Sequence, residues 1–499
     1  MRHSNRLAVC AVLCAVLAAT AALDHYFRDE FYYLACSERL AWGYVDHPPL
    51  SIAVLWIVRH LAGDSLIVLR MSAAAAAAAS IWVTGSIARR LGAGAYGELI
   101  AMTAAAVAPE LLALSSFYSM NVLDVLLWTV AARVLIDAIE EPTDRRWITL
   151  GLVVGLGLLN KISMAWIGGG FAIGLMLSPA RAQLRTRGPW IAALVACVMF
   201  LPHIAWQVSH GWPTLEFIRN AGRDKMQVTA PAAFLKNQIL NMHPVTFPIW
   251  GTGLWVLMRG RRGAADRVLA VAFVSVALLL LLNRTSRSGY LAAGYPMLLA
   301  AGGAAWERWL GSRAIRAGAV VLLIVCGAIT APLAIPLLPV DTYVLYSAAL
   351  GIAPGTEEKK EVGRLSQFFA DRQGWERFVD QIGRAWERIP PAERESAVVY
   401  AGNYGEAGAI EILGRGRGLR VVSPHNNYWL WGPQGYTGEI MIVLSRRPDR
   451  LRERFASVEL VGETDCGDCM PYEDHQPIYL CRGLRPPLAA QWPSLKHYD

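Results

Sequence analysis

Charge is scarce in this chain. Only 17% of its 499 residues are Asp, Glu, Lys or Arg, against about 25% in an ordinary soluble domain. That shortage excludes a chain wetted on all sides. Cysteine is sparse too: there are eight, scattered. Cys10, Cys14, Cys197 and Cys326 lie in apolar runs, as inert fillers of helix surfaces. No nucleotide-binding glycine loop is present. "GRGRG" lacks the spacing, and "GLGLL" falls inside a membrane-type helix. No internal repeat is visible, and the apolar part holds no compact metal motif. The net charge of +8 could suit nucleic acid. Its arginines, however, sit in short clusters between apolar runs, which is a topology signal.

What is abundant is hydrophobic length, with 55% of residues apolar. A helix needs ~20 mostly apolar residues to cross a bilayer. Eleven segments qualify as candidates: 7–23, 66–88, 97–117, 119–139, 147–160, 163–178, 189–208, 244–258, 267–283, 289–306 and 315–338. The fifth and sixth are short and read as a bent pair. The alanines of 73–79 allow close helix approach and need no other role. With Arg2 and Arg6 inside, every inner loop is arginine-rich: Arg89-Arg90, Arg145-Arg146, Arg181/Arg185/Arg187, Arg259/Arg261/Arg262 and Arg308/Arg313/Arg316. Eleven crossings place the C-terminus outside. The expected fold is a multi-pass α-helical membrane domain over 1–340, with an outer loop at 24–65. An extracytoplasmic α/β domain follows over 341–499. A cleaved signal peptide at 7–23 is the alternative for the first segment.

Orientation gathers the other ionisable residues on the outer side. The first loop, "YFRDEFYYLACSERLAWGYVDHPPL", carries Asp29, Glu30, Asp46 and His47. Asp124 stands near the outer end of the fourth segment, and Lys161 in the turn between the fifth and sixth. Arg287 and Tyr290 lie in "NRTSRSGY". Charges at membrane depth are costly and functional by default. The plainer readings are a helix cap with a first-turn carboxylate for Asp29-Glu30, and a locked turn for Asp46-His47-Pro48-Pro49. A carboxylate that takes a proton from a hydroxyl, with basic groups that hold a departing phosphate, suits sugar transfer from a lipid phosphate. A transporter or lipid flippase would also use buried acids and a lysine. It should, however, show paired repeats and broken mid-membrane helices.

These motifs also carry a resemblance. "RDEFYYLACSERLAWGYVDHPPL", "NVLDVLLWTVAA", "GLLNKISMAWIG", "WPTLEFIRN", "FLKNQILNMHPVTFPIWGTGL" and "GYLAAGYPMLLAAGGAAWE" occur in this order. Together they resemble bacterial GT-C glycosyltransferases of the glycosyltransferase family 39-like, or PMT_2, group. These are relatives of dolichyl-phosphate-mannose protein mannosyltransferase and lipid A aminoarabinose transferase. The resemblance implies a bacterial cytoplasmic-membrane enzyme with its active site at the outer face and an inverting mechanism. It implies a polyprenyl-phosphate sugar donor and a glycan, lipid or protein acceptor, with no nucleic-acid partner. Asp29 would be the catalytic or acceptor-positioning carboxylate, with Glu30 as its partner. Asp124, Lys161, Arg287 and Tyr290 would bind substrate, and on the residues alone Asp46 and His47 could line the acceptor path. "RSGY" is looser than the family's pattern. A metal cofactor is not expected, although a divalent ion stays open.

The polar tail reads as α/β. "SAVVYAG", "LRVVS", "EIMIVLS", "SVELVG" and "PIYLCRG" are strand-like, and 357–389 has helical periodicity. "YGEAGAIEIL" and "PDRLRERF" are helix-like. Cys466, Cys469, His475 and Cys481 could form a Cys3His zinc site. In an oxidising compartment a disulfide is expected instead, with Cys481 paired to Cys466 or Cys469.

Overall fold

A computed structural model describes residues 2–499, with side chains from Ser4 onward. The Arg2 side chain, used in the topology count, lies outside the described residues. The chain forms two compact units. The first takes residues up to Leu23, His47–Ser209 and Val228–Leu338. The second takes Asp24–Asp46, His210–Gln227 and Pro339–Asp499.

The first unit is helical. Each of the eleven apolar segments carries a helix, from Arg2–Ala21 to Arg313–Ala334. Among the described residues five are long and apolar enough to cross a membrane: Ser4–Ala21, Leu66–Arg90, Gly188–Ser209, Ala264–Leu282 and Arg313–Ala334. Ala95–Val107 and Pro109–Ser115 make a sixth candidate, bent by 68°. The candidate crossing 97–117 therefore carries two helices with a bend between them. Pro109 has no N–H to continue the ladder and forces Ala108 into extended backbone (φ −66°, ψ 118°). The alanine run does what its size permits. Ala73, Ala74, Ala76 and Ala77 are buried. The first helix approaches closely enough for the Cys10 thiol to donate to the Ala78 carbonyl at 3.4 Å.

The second unit holds a five-stranded sheet: β1 Ala397–Tyr400, β2 Val421–Val422, β3 Ile440–Leu444, β4 Phe455–Glu463 and β5 Pro477–Leu484. All five expected strands are present, in the order β2-β1-β3-β5-β4. β1 is parallel to β2 and β3. β5 is antiparallel to β3 and β4. Val398, Val422, Met441, Val443, Tyr479 and Cys481 pack on one face with Leu488 and Trp492. Phe378, Ile382 and Trp386 are the buried stripe of the amphipathic helix Trp375–Glu387. Burying each such side chain contributes about 1.5–3 kcal/mol.

The disulfide joins Cys466 to Cys469. The expected pairing of Cys481 is therefore corrected: its thiol is free and buried. Cys481 stands opposite Val458 and Met441, while the β4–β5 connection opens at Glu463 opposite Pro477. Four residues of strand separate it from that opening, roughly 14 Å. A disulfide spans no more than about 7 Å between Cα atoms. His475 is exposed and pairs with Glu463 at 2.9 Å, away from Cys481 in the core. The four residues weighed for zinc are not gathered.

Candidate active site

Two clusters hold the candidate residues, one in each unit. In the second unit the helix Arg28–Ser37 starts from extended Phe27. Glu30 turns back and accepts the Phe27 N–H at 2.8 Å. It is fully buried, which gives Glu30 the first-turn cap geometry. Asp29 lies one residue earlier and is half-buried. Its Oδ1 accepts a hydrogen bond from the Tyr404 hydroxyl at 2.8 Å. Asp46 accepts from the Tyr32 hydroxyl at 2.9 Å, and the Tyr32 and Tyr404 rings lie 4.9 Å apart. The structure thus links Asp29 and Asp46 through two tyrosines.

Beneath Asp29 lies a network that the sequence did not reveal. Arg28 is buried, donates to the Tyr472 hydroxyl, and stands 3.3 Å from Glu473 and 3.8 Å from Asp371. Burial pushes the Glu473 carboxyl up to about 8 against the pull of Arg28. Burial likewise raises Asp371 to about 7, again opposed by Arg28. Burial alone would lower the Arg28 guanidinium, but Glu473, Tyr404 and Asp371 outweigh it and hold it above its usual range. Two acids therefore compete for one cation. The only sequence signal for Arg28 was its place beside Asp29. Glu473 is more than 400 positions away and gave none.

In the first unit, Met120–Glu140 begins at an Ser119 cap that accepts the Asn121 N–H at 3.2 Å. Asp124 is one turn inside and buried. Its Oδ2 accepts from the Ser163 hydroxyl at 2.7 Å and lies 3.7 Å from the Lys161 ammonium. Lys161 also donates to Asn121 Oδ1 at 2.7 Å. Its ammonium stands 5.0 Å from the Tyr290 ring centroid, and Trp166 packs beside Tyr290. Lys161 occupies the break between Asp144–Asn160 and Met164–Leu177, in extended backbone. The interruption lets one residue leave the helix and turn its ammonium toward Asp124. Asp124, Lys161 and Tyr290 are thus together, as the sequence suggested. Asn121, Ser163 and Trp166 complete the group. Arg287 stands at the start of the Ser288–Gly294 turn, where its carbonyl accepts the Tyr290 N–H at 3.2 Å.

The "DHPP" stretch divides. Asp46 belongs to the second unit and His47 to the first. His47 is fully buried, with Nδ1 3.0 Å from the Pro48 carbonyl. Pro49 begins the helix Leu50–Ala62. This is the locked-turn geometry.

Comparison with known proteins shows what the chain as a whole is similar to. The sequence model of the dolichyl-phosphate-mannose-protein mannosyltransferase family, PMT_2, matches residues 46–206. The lipid A galacturonosyltransferase RgtD of Rhizobium johnstonii is 28% identical over 275 residues, or 53% of this chain and 56% of RgtD. The chain spans about half the length of that curated relative. Among solved structures, ArnT from Cupriavidus metallidurans bound to undecaprenyl phosphate is 13% identical, with a TM-score of 0.66 over 99% of both chains. The Archaeoglobus fulgidus oligosaccharyltransferase is 12% identical, with a TM-score of 0.52 over 83% of this chain and 64% of that one. The chain is similar to the GT-C, PMT_2-type glycosyltransferases in its motifs, and its fold is theirs.

Proposed function

We propose that this GT-C-fold protein transfers a sugar from a polyprenyl-phosphate donor to an acceptor hydroxyl, with inversion at the anomeric carbon. The observation that carries the reading is the Lys161 ammonium, held beside Asp124 and Asn121 at a break between two apolar helices. A buried ion pair is poor value as a stabilising device, and an ammonium kept there suits a phosphate. RgtD is named for galacturonosyl transfer to lipid A, and ArnT was solved with undecaprenyl phosphate. A polyprenyl-phosphate uronic acid and an envelope lipid acceptor are therefore the first substrates to try.

In this mechanism Asp29 draws the proton from the acceptor hydroxyl, whose oxygen attacks the anomeric carbon. The bond from that carbon to the phosphate oxygen breaks. Lys161 stabilises the negative charge left on the polyprenyl phosphate, with Arg287 as a second cation and Tyr290 flanking Lys161. Side chains supply this charge, so the reaction is proposed to run without a metal, and activity retained in EDTA checks that. The positive-inside arginines support an N-terminus in the bacterial cytoplasm, eleven crossings and an extracytoplasmic region from about residue 341.

Replacing Asp29 with Asn tests the base. Sugar transfer in membranes should fall by roughly 10²- to 10⁴-fold at normal protein level. Full activity in that variant rejects Asp29 as catalyst.

A further inference from the structure

The second unit does more with Asp29 than carry it. Tyr404 is the first residue of the helix Tyr404–Leu413, whose Asn403 cap accepts the Glu406 N–H at 2.9 Å. Glu406 in turn accepts the Gly402 N–H at 2.8 Å. These two bonds set where the helix starts. Close packing then sets where it lies. A Cβ on Gly408 would come within 2.8 Å of Phe31 Cβ and 3.0 Å of the Phe31 backbone. A Cβ on Gly405 would meet the Arg28 side chain at 2.6 Å. Only glycine at these two positions lets Tyr404–Leu413 lie directly on Arg28–Ser37. That contact brings the phenol to Asp29.

A second device braces the backbone of Tyr404. Its N–H donates to His425 Nδ1 at 3.2 Å. The neutral ring then carries its proton on Nε2, which faces Asp499 Oδ1 at 2.9 Å. The other Asp499 oxygen lies 3.0 Å from His497 Nε2. Asp499 therefore holds the His425 tautomer that Tyr404 needs. The phenol itself is a permanent donor: burial and the neighbouring Asp29 charge push it well above the usual range for tyrosine. The other charged groups facing it are Arg28, 5.1 Å from the ring centroid, Lys225 at 5.9 Å, and Glu358. Asp371 faces Asp29 from its own segment.

We infer that Tyr404 is the positioning residue for Asp29, with the His425–Asp499 pair as its brace. The inference rests on the proposed role of Asp29 as base. It gives the C-terminal region a direct part in the reaction. A phenol bonded to one carboxylate oxygen restricts rotation of the group. It also favours the charged form, the form a base must have.

The test is Tyr404→Phe, which keeps the ring and removes the donor. Transfer is followed against pH at saturating and limiting donor in membranes. Loss of a hydrogen bond to the carboxylate lets it hold its proton more tightly, so the acid limb of the profile should move to higher pH. kcat should fall about 10- to 100-fold with donor KM little changed. Tyr428→Phe is the control. It removes another buried hydroxyl, which donates to Glu411 at 2.6 Å, and should leave the limb in place. An unmoved limb in Tyr404→Phe, or an equal shift in Tyr428→Phe, overturns the assignment. If Tyr404→Phe does not accumulate, His425→Gln is read the same way: a limb moved upward supports the brace and an unmoved limb rejects it. Asp29→Asn separates the levels. Full activity there removes the base itself, whereas an inactive Asp29→Asn with an unmoved Tyr404→Phe limb removes only this inference.

Discussion

Both units bury charge, and they balance it differently. In the helical unit each buried acid has basic partners close by. Glu98 lies 2.6 Å from both Arg6 and Arg89, Asp266 lies 3.2 Å from Arg262, and Asp124 stands beside Lys161. In the second unit one guanidinium, Arg28, serves both Glu473 and Asp371. An apolar surround tolerates only near-neutral groupings. The mixed unit has a different answer, because its surplus acids can keep protons instead of finding partners. The difference teaches where each unit is vulnerable. At these buried pairs, the helical unit should lose function when the Lys161–Asp124 charges are removed, and the second unit should lose stability when Arg28 is removed.

The largest effect expected from this contrast is in the second unit. Arg28→Ala leaves two buried acids without their cation and should destabilise that unit by about 3–5 kcal/mol. Protease resistance of the second unit in detergent measures it. Adding Glu473→Leu should restore part of the loss, and no restoration would show that Arg28 acts by packing rather than charge. In the helical unit, the double variant Lys161→Ala/Asp124→Asn, which removes both charges of the pair, should lower sugar transfer by roughly 10²- to 10³-fold with unfolding temperature little changed. A collapse in yield instead would make Lys161 a structural ion and break the comparison. Gly408→Ala should cost about 1–3 kcal/mol by overpacking against Phe31, seen as a lower unfolding temperature.

The smallest effect sharpens the account of the shared cation. Folded Glu473 and Asp371 hold protons to about pH 8 and 7, whereas in the unfolded chain both release them near pH 4. Between those limits the folded form binds more protons, so stability should fall as pH rises from about 5 to 8. The slope is at most about 1.4 kcal/mol per pH unit for each proton, and the two acids titrate as a pair. Glu473→Gln should flatten the slope, as read from unfolding temperature against pH. An unchanged slope would place the proton elsewhere.

Much of this was visible in the chain before folding. Eleven apolar segments became helices and five β-rich runs became strands, because periodicity and hydrophobic length act over neighbouring residues. Asp29, Asp124 and Lys161 stood out because an ionised group in an apolar setting is expensive. Local ambiguity was harder. Glu30 could be a catalyst or a cap, and only the folded chain shows its bond to the Phe27 N–H. Pro109 was visible, yet how sharply it bends a span depends on what packs around it. The pairing of Cys466 with Cys469 depended on how far down β5 Cys481 lies, which is a matter of strand register.

The sequence alone determined a many-helix apolar chain with a polar α/β tail, and it singled out the carboxylates and the lysine worth testing. Those properties come from composition and short-range pattern. Tertiary structure decided that residues 24–46 and 210–227 join the tail in one compact unit. It also decided that Tyr404 reaches Asp29 and that Arg28 meets Glu473. Hydrogen bonds between residues hundreds of positions apart leave no periodic trace. They exist because glycines at 405 and 408 let two helices touch, and because burial makes each polar group find a partner or keep its proton.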